Sequence, residues 1–410
     1  MAENQTKTDT PLSHITVLDL SRVMAGPWAT QNLADLGANV IKVERPVSGD
    51  DTRKWGPPYL KDKDGKDTSE AAYYLSTNRG KKSVTIDMAT KKGQELIKKL
   101  AEKCDIVFEN FKVGGLKKYG LDYDSLKKVN PKLIYCSITG FGQDGPYSHH
   151  AGYDYMIQAM GGLMSVTGEA DGEPMKVGVP ITDIMTGMYS TIAVLAALQA
   201  REKTGKGQYI DMALLDVQVA MLANQSSNYL ASGKIPQRLG NAHPNIVPYQ
   251  VFKTKTDPII LAVGNDGQFA KFCELAECEY LARDEKYKTN EARVKNRGSL
   301  IPILEKAMIT RKSKDWLKEL EAAKVPCGPI NNIKQVLEHP QVKHRGMEVK
   351  LPHPLAGEVS TIKSPMNFSD TPLEYKNAPP TLGSNTEDVL KELLDMDEKE
   401  ISSLKKEEII

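Results

Sequence analysis

At 410 residues the chain is too long for one ordinary hydrophobic core, so two domains or three are expected. Its 40% hydrophobic and 26% charged content is that of a soluble globular protein, and a formal net charge of +1 gives no reason to expect a nucleic-acid partner. No run of about 18 apolar residues is present, so no membrane span is expected.

The chain opens with MAENQTKTDTPLSH, which holds acids and no Arg. That is unlike a secretory signal or a transit peptide and reads as a short disordered tail. A cytoplasmic location is expected, or the mitochondrial matrix if a transit peptide has been removed. His14 to Leu20 (HITVLDL) is a short β-rich run. Gly26-Pro27 opens a helical pattern through Leu36, ended by Gly37, and Asn39 to Val43 is the next strand. Ser83 to Ile86 is another, followed by a helix from about Thr90 to Lys103 with Leu96, Ile97, Leu100 and Ala101 at helical spacing. Asp105 to Phe108 and Leu133 to Ile138 complete the strands of this half. Strands alternating with helices predict an α/β fold with a largely parallel sheet. Such sheets bind ligands beyond the carboxyl ends of their strands. The polar segments there are Ser21-Arg22-Val23, Glu44-Arg45, Glu109 to Lys112 and Thr139-Gly140, and all four should converge on one crevice.

Gly140 to Gly145 (GFGQDG) matches the dinucleotide pattern GxGxxG. That motif needs a helix to begin inside it, to hold pyrophosphate at the helix N-terminus. Here Pro146, Tyr147, Ser148 and two histidines follow, and no helical period starts before about Tyr153. The motif therefore reads as a loop.

The most informative stretch runs from Lys176 to Asp216. Asp183 stands alone after an apolar approach, at the mouth of a long apolar helix that stops at Thr204-Gly205-Lys206-Gly207; a strand, Gln208 to Leu214, follows. No His, Cys or second acid lies close in sequence, so a metal site or an acid/base pair is not indicated. Asp183 is either a helix N-cap or a nucleophile. From about Asn224 to Pro248 the chain is polar and turn-rich. An α+β stretch follows, with a hairpin (YQVFKTKTDPIILAV) and helices near Gln268 to Cys278 and Ser299 to Ile309. Beyond Pro329 come a helix near Asn332 to Leu337, a strand-rich stretch from Gly346 to Ser364 and a helix near Thr386 to Leu394. The five cysteines (Cys104, Cys136, Cys273, Cys278, Cys327) are odd in number and scattered, which points to reduced thiols and not to a zinc site.

Across nearly its whole length the chain resembles the class III coenzyme A transferases, the family that includes formyl-CoA transferase and carnitine CoA-transferase. The residues that carry the likeness are VLDLSRVMAGPWATQNLADLGANVIKVERPVSGDDTR, NRGKKSVTIDM, VFENFKVGGLKKYGLDYDSL, PKLIYCSITGFGQDGPY, AGYDYMIQAMGGLMSVTG, VPITDIMTGMYS, REKTGKGQ, VPCGPINNIKQVLEHPQV and PPTLGSNTEDVLKEL, all in one order. WGPPYL, GNAHPNIVPYQVFKT and KYKTNEARVKNR are similar to members that pass CoA from succinyl-CoA to a dicarboxylate such as glutarate.

The resemblance implies that Asp183 is the nucleophile. It would attack the acyl-CoA thioester to give an aspartyl anhydride, then an aspartyl-CoA thioester, and the acceptor carboxylate would complete the transfer. With a reference pKa of about 3.9 an Asp is ionised at neutral pH, so no general base is expected. By position, Val23, Met24, Arg45, Asn110, Phe111, Lys112, Lys118, Thr139 and Gly140 fall where the family contacts CoA. A dicarboxylate acceptor needs a polar or cationic pocket for its second carboxyl; Arg79, Lys81, Lys82, Tyr153 and His243 are the candidates. Coenzyme A thioester enters as substrate, and no resident cofactor or metal is expected. The implied fold is a doubly wound, Rossmann-like large domain over 12–223, a small inserted α+β domain over 240–324 and a return over 325–410, in an interlocked homodimer. Two rivals share the fold: an α-methylacyl-CoA racemase and a non-catalytic acyl-CoA-binding protein. The racemase family uses a His where this chain has Tyr153, and a phenol with a pKa near 10 is a poor base at neutral pH.

Overall fold

A computed structural model describes residues 10–410, so the expected tail falls almost wholly outside the described residues. The chain forms two compact units. One takes residues up to 162, 177–223 and 343–410; the other takes 163–176 and 224–342.

The first unit is built on a parallel sheet. In chain order its elements are β1 (Thr16–Asp19), α1 (Ala25–Asp35), β2 (Asn39–Glu44), the hairpin β3 (Tyr59–Lys61) and β4 (Asp67–Ala71), and α2 (Ala72–Leu75). Next come β5 (Lys82–Thr85), α3 (Lys91–Lys103), β6 (Ile106–Glu109), α4 (Tyr123–Val129), β7 (Ile134–Thr139) and α5 (Asp154–Met160). A short helix, α6 (Leu163–Val166), belongs to the second unit. The first resumes with α7 (Ile181–Thr204), β8 (Tyr209–Ala213) and α8 (Leu214–Met221). The six strands run parallel in the order β5-β2-β1-β6-β7-β8. Counted along the chain, that is the doubly wound order 3-2-1-4-5-6, whose direction of winding reverses between β1 and β6.

Alternation along each strand divides the core. Leu18, Ile41, Val43, Val84 and Val107 face a cluster with Leu96, Ile97 and Leu100 of α3. Val17, Val40, Ile106, Phe108, Ile134 and Cys136 face the other side, against Ala29 and Leu33 of α1 and Val194 and Ala197 of α7. Both faces are covered, so these strands read as apolar runs. The α1–α7 contact is close because Gly187 has no side chain: a Cβ there would stand 2.7 Å from the Ala25 carbonyl oxygen and 3.0 Å from the Trp28 side chain. α7 is long and apolar enough to cross a membrane by length and hydropathy alone, which the sequence reading did not expect. One face of it, however, is packed on α1 and the sheet, as in a core helix. The C-terminal helices Thr386–Leu394 and Glu398–Lys406 return Val389, Leu390, Ile401 and Leu404 to the α3 side of the core. The last helix was not foreseen, although Asp397 and Glu400 form a capping box that marks its start.

The second unit has a three-stranded antiparallel sheet, with Ile259–Ala262 between Tyr249–Phe252 and Cys327–Pro329. Its core gathers Phe252, Leu261, Phe269, Phe272, Leu300 and Trp316. The Trp316 indole N–H donates to the Met308 carbonyl at 2.8 Å. Positions 240 and 324 lie inside this unit. The polar stretch after Ala223 continues as a helix to Ser232 where turns were expected, and Cys327–Pro329 pairs into the unit's sheet.

Candidate active site

The winding reversal puts the carboxyl ends of β1 and β6 side by side, and one side chain ties them. Asn110 accepts from the Arg22 backbone N–H at 2.9 Å and donates to the Arg22 carbonyl at 2.7 Å. The next residue, Val23, has φ +70°. A β-branched side chain rarely adopts that conformation, and such strain costs of order 1–3 kcal/mol. It is held there by Asp50, whose carboxylate accepts from the Val23 N–H at 3.2 Å. Asp50 is itself buried on Lys42 (2.9 Å) and on the Thr52 N–H and hydroxyl, which together hold its pKa far below the carboxylate range against the cost of burial.

Beside this tie lies a cavity of about 400 Å³ lined by Arg22, Arg45, Phe111, Lys112 and Lys118, among others. With Lys42, five cations line the cavity against three acids, Glu44, Asp50 and Asp87, an excess of positive charge that suits a polyanion, and Phe111 gives a flat apolar wall over which Arg22 stacks at 5.2 Å. Arg22 and Arg45 share Asp51, each at 2.8 Å, and the Arg22 Nε is buried without a hydrogen-bond partner among the described residues. Three of the four strand-end segments therefore converge. Thr139-Gly140 does not line the cavity. The Thr139 hydroxyl accepts from the Gly142 N–H at 2.9 Å, closing the GFGQDG loop; no helix starts before α5, as expected. Gly140 packs directly on Gly152, where a Cβ would come within 2.5 Å of the neighbouring Cα.

That contact leads into α5 and so to Asp183. α7 begins at Pro180-Ile181, and Pro180 supplies no side-chain cap. Asp183 is in the first turn and does not cap the helix. The cap comes from Asp154 at the head of α5, whose Oδ1 accepts from the Thr182 N–H at 2.8 Å and the Asp183 N–H at 3.3 Å. Among the described residues the Asp183 carboxylate has no hydrogen bond or ion pair of its own. Burial first, and then the Asp154 charge, push its pKa up to about 7. The helix N-terminus favours the anion but does not offset these two. This corrects the expectation of a fully ionised Asp at neutral pH. Tyr73 of α2 stands near both carboxylates, and its hydroxyl is pushed up to about 12, by burial foremost. Asp183 is not among the residues lining the cavity. The two are linked by the chain itself, since Arg22 lines the cavity and Ala25, three residues on, meets α7 one turn after Asp183.

The other candidates separate. Met24 is buried, and its carbonyl starts α1 by accepting from the Trp28 N–H. Arg79 is buried on Asp35 through two bonds of 3.0 and 2.6 Å and donates to Thr361 and the Ile362 carbonyl. Lys81 is buried on Asp19, the Pro27 carbonyl and Asn78. Lys82 pairs with Glu392 at the surface. Each of these three candidate cations thus has a partner within the fold, Arg79 and Lys81 in the interior and Lys82 at the surface. Tyr153 is 69% exposed. His243 lies in the second unit, where its Nδ1 accepts from the Asn245 N–H and its ring meets Tyr249. Among the described residues no three His, Cys, Asp or Glu side chains cluster as a metal site requires.

The sequence pattern of CoA-transferase family III matches residues 12–386. The chain belongs to that family. This CoA-transferase is 53% identical to the succinate–glutarate CoA-transferase of Agrobacterium fabrum, over 93% of this chain and 96% of that one. It is 45% identical to the succinyl-CoA:glutarate CoA-transferase of Homo sapiens, over 96% of this chain and 88% of the other. A CAIB/BAIF family protein from Brucella suis superposes with a TM-score of 0.83 at 51% identity, covering 94% of this chain and all of that one. Membership, with relatives named as CoA-transferases at this identity, makes the protein an enzyme of the CoA-transferase class. The cation-lined cavity at the winding reversal has the volume of an ordinary small-molecule site. The sequence placed Arg22 at the end of β1 in the expected crevice, although it was not among the residues expected to contact CoA. Sequence reasoning missed Asp154 and Tyr73, whose nearness to Asp183 arises only on folding.

Proposed function

We propose that this enzyme moves CoA from succinyl-CoA to glutarate, with Asp183 as the group that is transiently acylated. The observation that carries this is the Asp183 carboxylate itself, desolvated, relieved of capping and without an ion-pair partner among the described residues. The acid pair is supported by the names of the relatives from Agrobacterium fabrum and Homo sapiens. An Asp183 oxygen attacks the thioester carbonyl carbon; the C–S bond breaks and CoA leaves as thiolate. The thiolate then attacks the aspartyl carbonyl of the anhydride, releasing succinate and leaving an aspartyl-CoA thioester. Glutarate attacks that thioester, and the returning thiolate takes the glutaryl group and frees Asp183. Every attacking and leaving group is an anion, carboxylate or thiolate, that needs no proton transfer, so a lone carboxylate suffices. A pKa near 7 also makes the anion a stronger nucleophile than an ordinary Asp.

In this reading Arg22, Arg45, Lys112 and Lys118 hold the CoA phosphates and Phe111 lines its path, with Asn110 keeping Arg22 in place. The five free thiols suit a reducing compartment such as the cytoplasm. A homodimer is supported by the outer face of α7, where Met188, Tyr189 and Ile192 are exposed at helical spacing. Light scattering of the purified chain tests the dimer, with twice 45.3 kDa expected. The function is tested by incubating enzyme, succinyl-CoA and a panel of acids and weighing the CoA products. Glutaryl-CoA as the fastest product supports the assignment. Formation of every other acyl-CoA but that one refutes it.

A further inference from the structure

Asp183 has few partners, and the acid beside it has many. Asp154 Oδ2 accepts from the Gln158 amide at 2.7 Å, while its Oδ1 takes the Thr182 and Asp183 N–H groups. Gln158 is fully buried, and its own oxygen accepts from the Val177 N–H at 2.9 Å. On the opposite side the Thr182 hydroxyl donates to Gln218 of α8 at 2.7 Å. The strap from Val177 to Asp183 is thus fastened at both ends to α5 and braced by α8. An ordinary N-cap is the residue just before the helix; here a charged cap is brought from 29 residues upstream. A neutral Ser or Asn would cap as well. The charge places a fixed anion beside a second carboxylate and takes no part in an ion pair among the described residues.

We propose that Asp154 is a positioning residue for CoA transfer, which fixes the main chain carrying Asp183 and sets a like charge beside the attacking carboxylate. This rests on the reading of Asp183 as the acylated group. The groups that face Asp183 are Asp154 from α5 and the Tyr73 hydroxyl from α2. α1 and α8, also packed on α7, bring Ala25 and Trp28 to Gly187 and Gln218 to Thr182, all of them uncharged. β7 and β8 meet α7 as well, and the nearest acid there, Asp211, is engaged with the Gln143 N–H. α1 also carries Asp35, which is bonded to Arg79, and α8 carries Asp216; Asp154 is the acid whose carboxylate bonds the Asp183 main chain. A neighbouring like charge raises the basicity of a carboxylate, and within a series a more basic oxygen attacks faster once ionised.

The test is the pH dependence of adduct formation at residue 183 with succinyl-CoA as sole substrate, in the wild type and in Asp154→Asn, which keeps an oxygen for the two N–H groups and removes the charge. Comparison of the two cancels the titration of the substrate phosphates. In the wild type the acid limb should have its midpoint near 7. In Asp154→Asn it should move down by about one pH unit, with the plateau at high pH lowered roughly threefold to tenfold. Asp154→Glu, which keeps the charge, should leave the midpoint in place. An adduct at residue 183 with an unmoved limb in Asp154→Asn overturns the proposal while leaving the nucleophile intact. An adduct elsewhere, or none, removes the nucleophile instead. Should the Asn variant not fold, a wild-type midpoint near 4 is enough to overturn the proposal by itself.

Discussion

Asp50 and Asp183 are carboxylates of the same unit, the first buried and the second half-buried, and their environments are opposites. Asp50 faces Lys42, two donors of Thr52 and the Val23 N–H, and its pKa is driven far down. Asp183 faces Asp154 and Tyr73, and its pKa is driven up to about 7. The first is locked into holding the strained Val23 turn at the rim of the cationic cavity. The second is left with unspent reactivity. Burial alone does not decide what an acid does; the partners that come with burial do.

The comparison breaks most readily at Asp183. Asp183→Ala should fold and still bind CoA while transfer falls by at least ~10³-fold, on the order of 4 kcal/mol of barrier. Steady-state rates beside a CoA titration check it, and near-normal turnover would contradict the account. Asp50→Ala should do the reverse. It strands Lys42, which is fully buried, so unfolding in urea should show a loss of about 3–5 kcal/mol. Arg45→Ala is milder, because Arg45 is half-exposed and already shared with Asp51. CoA affinity should drop roughly tenfold at low salt and less at high salt, as for any partly screened phosphate contact. An unchanged dissociation constant removes Arg45 from the site.

The two acids should also respond to pH with opposite signs. Asp50, depressed in the fold, contributes stability that is present above its unfolded pKa near 3.9 and is lost as pH falls below it toward its low folded value. Asp183, raised in the fold, contributes stability that is present below about 3.9 and is lost as pH rises through about 7. Asp183→Asn should therefore raise the melting temperature at pH 8 relative to wild type and leave it nearly unchanged at pH 4. An equal shift at both values would mean that the carboxylate is not strained in the fold.

Much of the large unit was legible because local pattern and environment agree there. Apolar runs in β1, β2, β6 and β7, punctuated by glycine and polar residues, place the sheet and the ends where ligands gather. Asp183 stood out because it is a lone acid opening an apolar helix. The pairing of charges was not legible. Arg79 finds Asp35 across 44 residues and Lys81 finds Asp19 across 62, so two cations that looked available for substrate are consumed in the interior. The cap on α7 was hidden for the same reason, since nothing around Pro180 announces that Asp154 will arrive. The helix Ala223–Ser232 opens with a run of amide and hydroxyl side chains, Asn224 to Asn228, that resembles a loop.

The most direct measurement is peptide mapping by mass spectrometry after brief incubation with succinyl-CoA and quenching with hydroxylamine. The account predicts a hydroxamate on the peptide that contains Asp183, absent without succinyl-CoA and absent in Asp183→Asn. Turnover at full rate with that peptide unmodified, or with the label on another carboxylate, would contradict it.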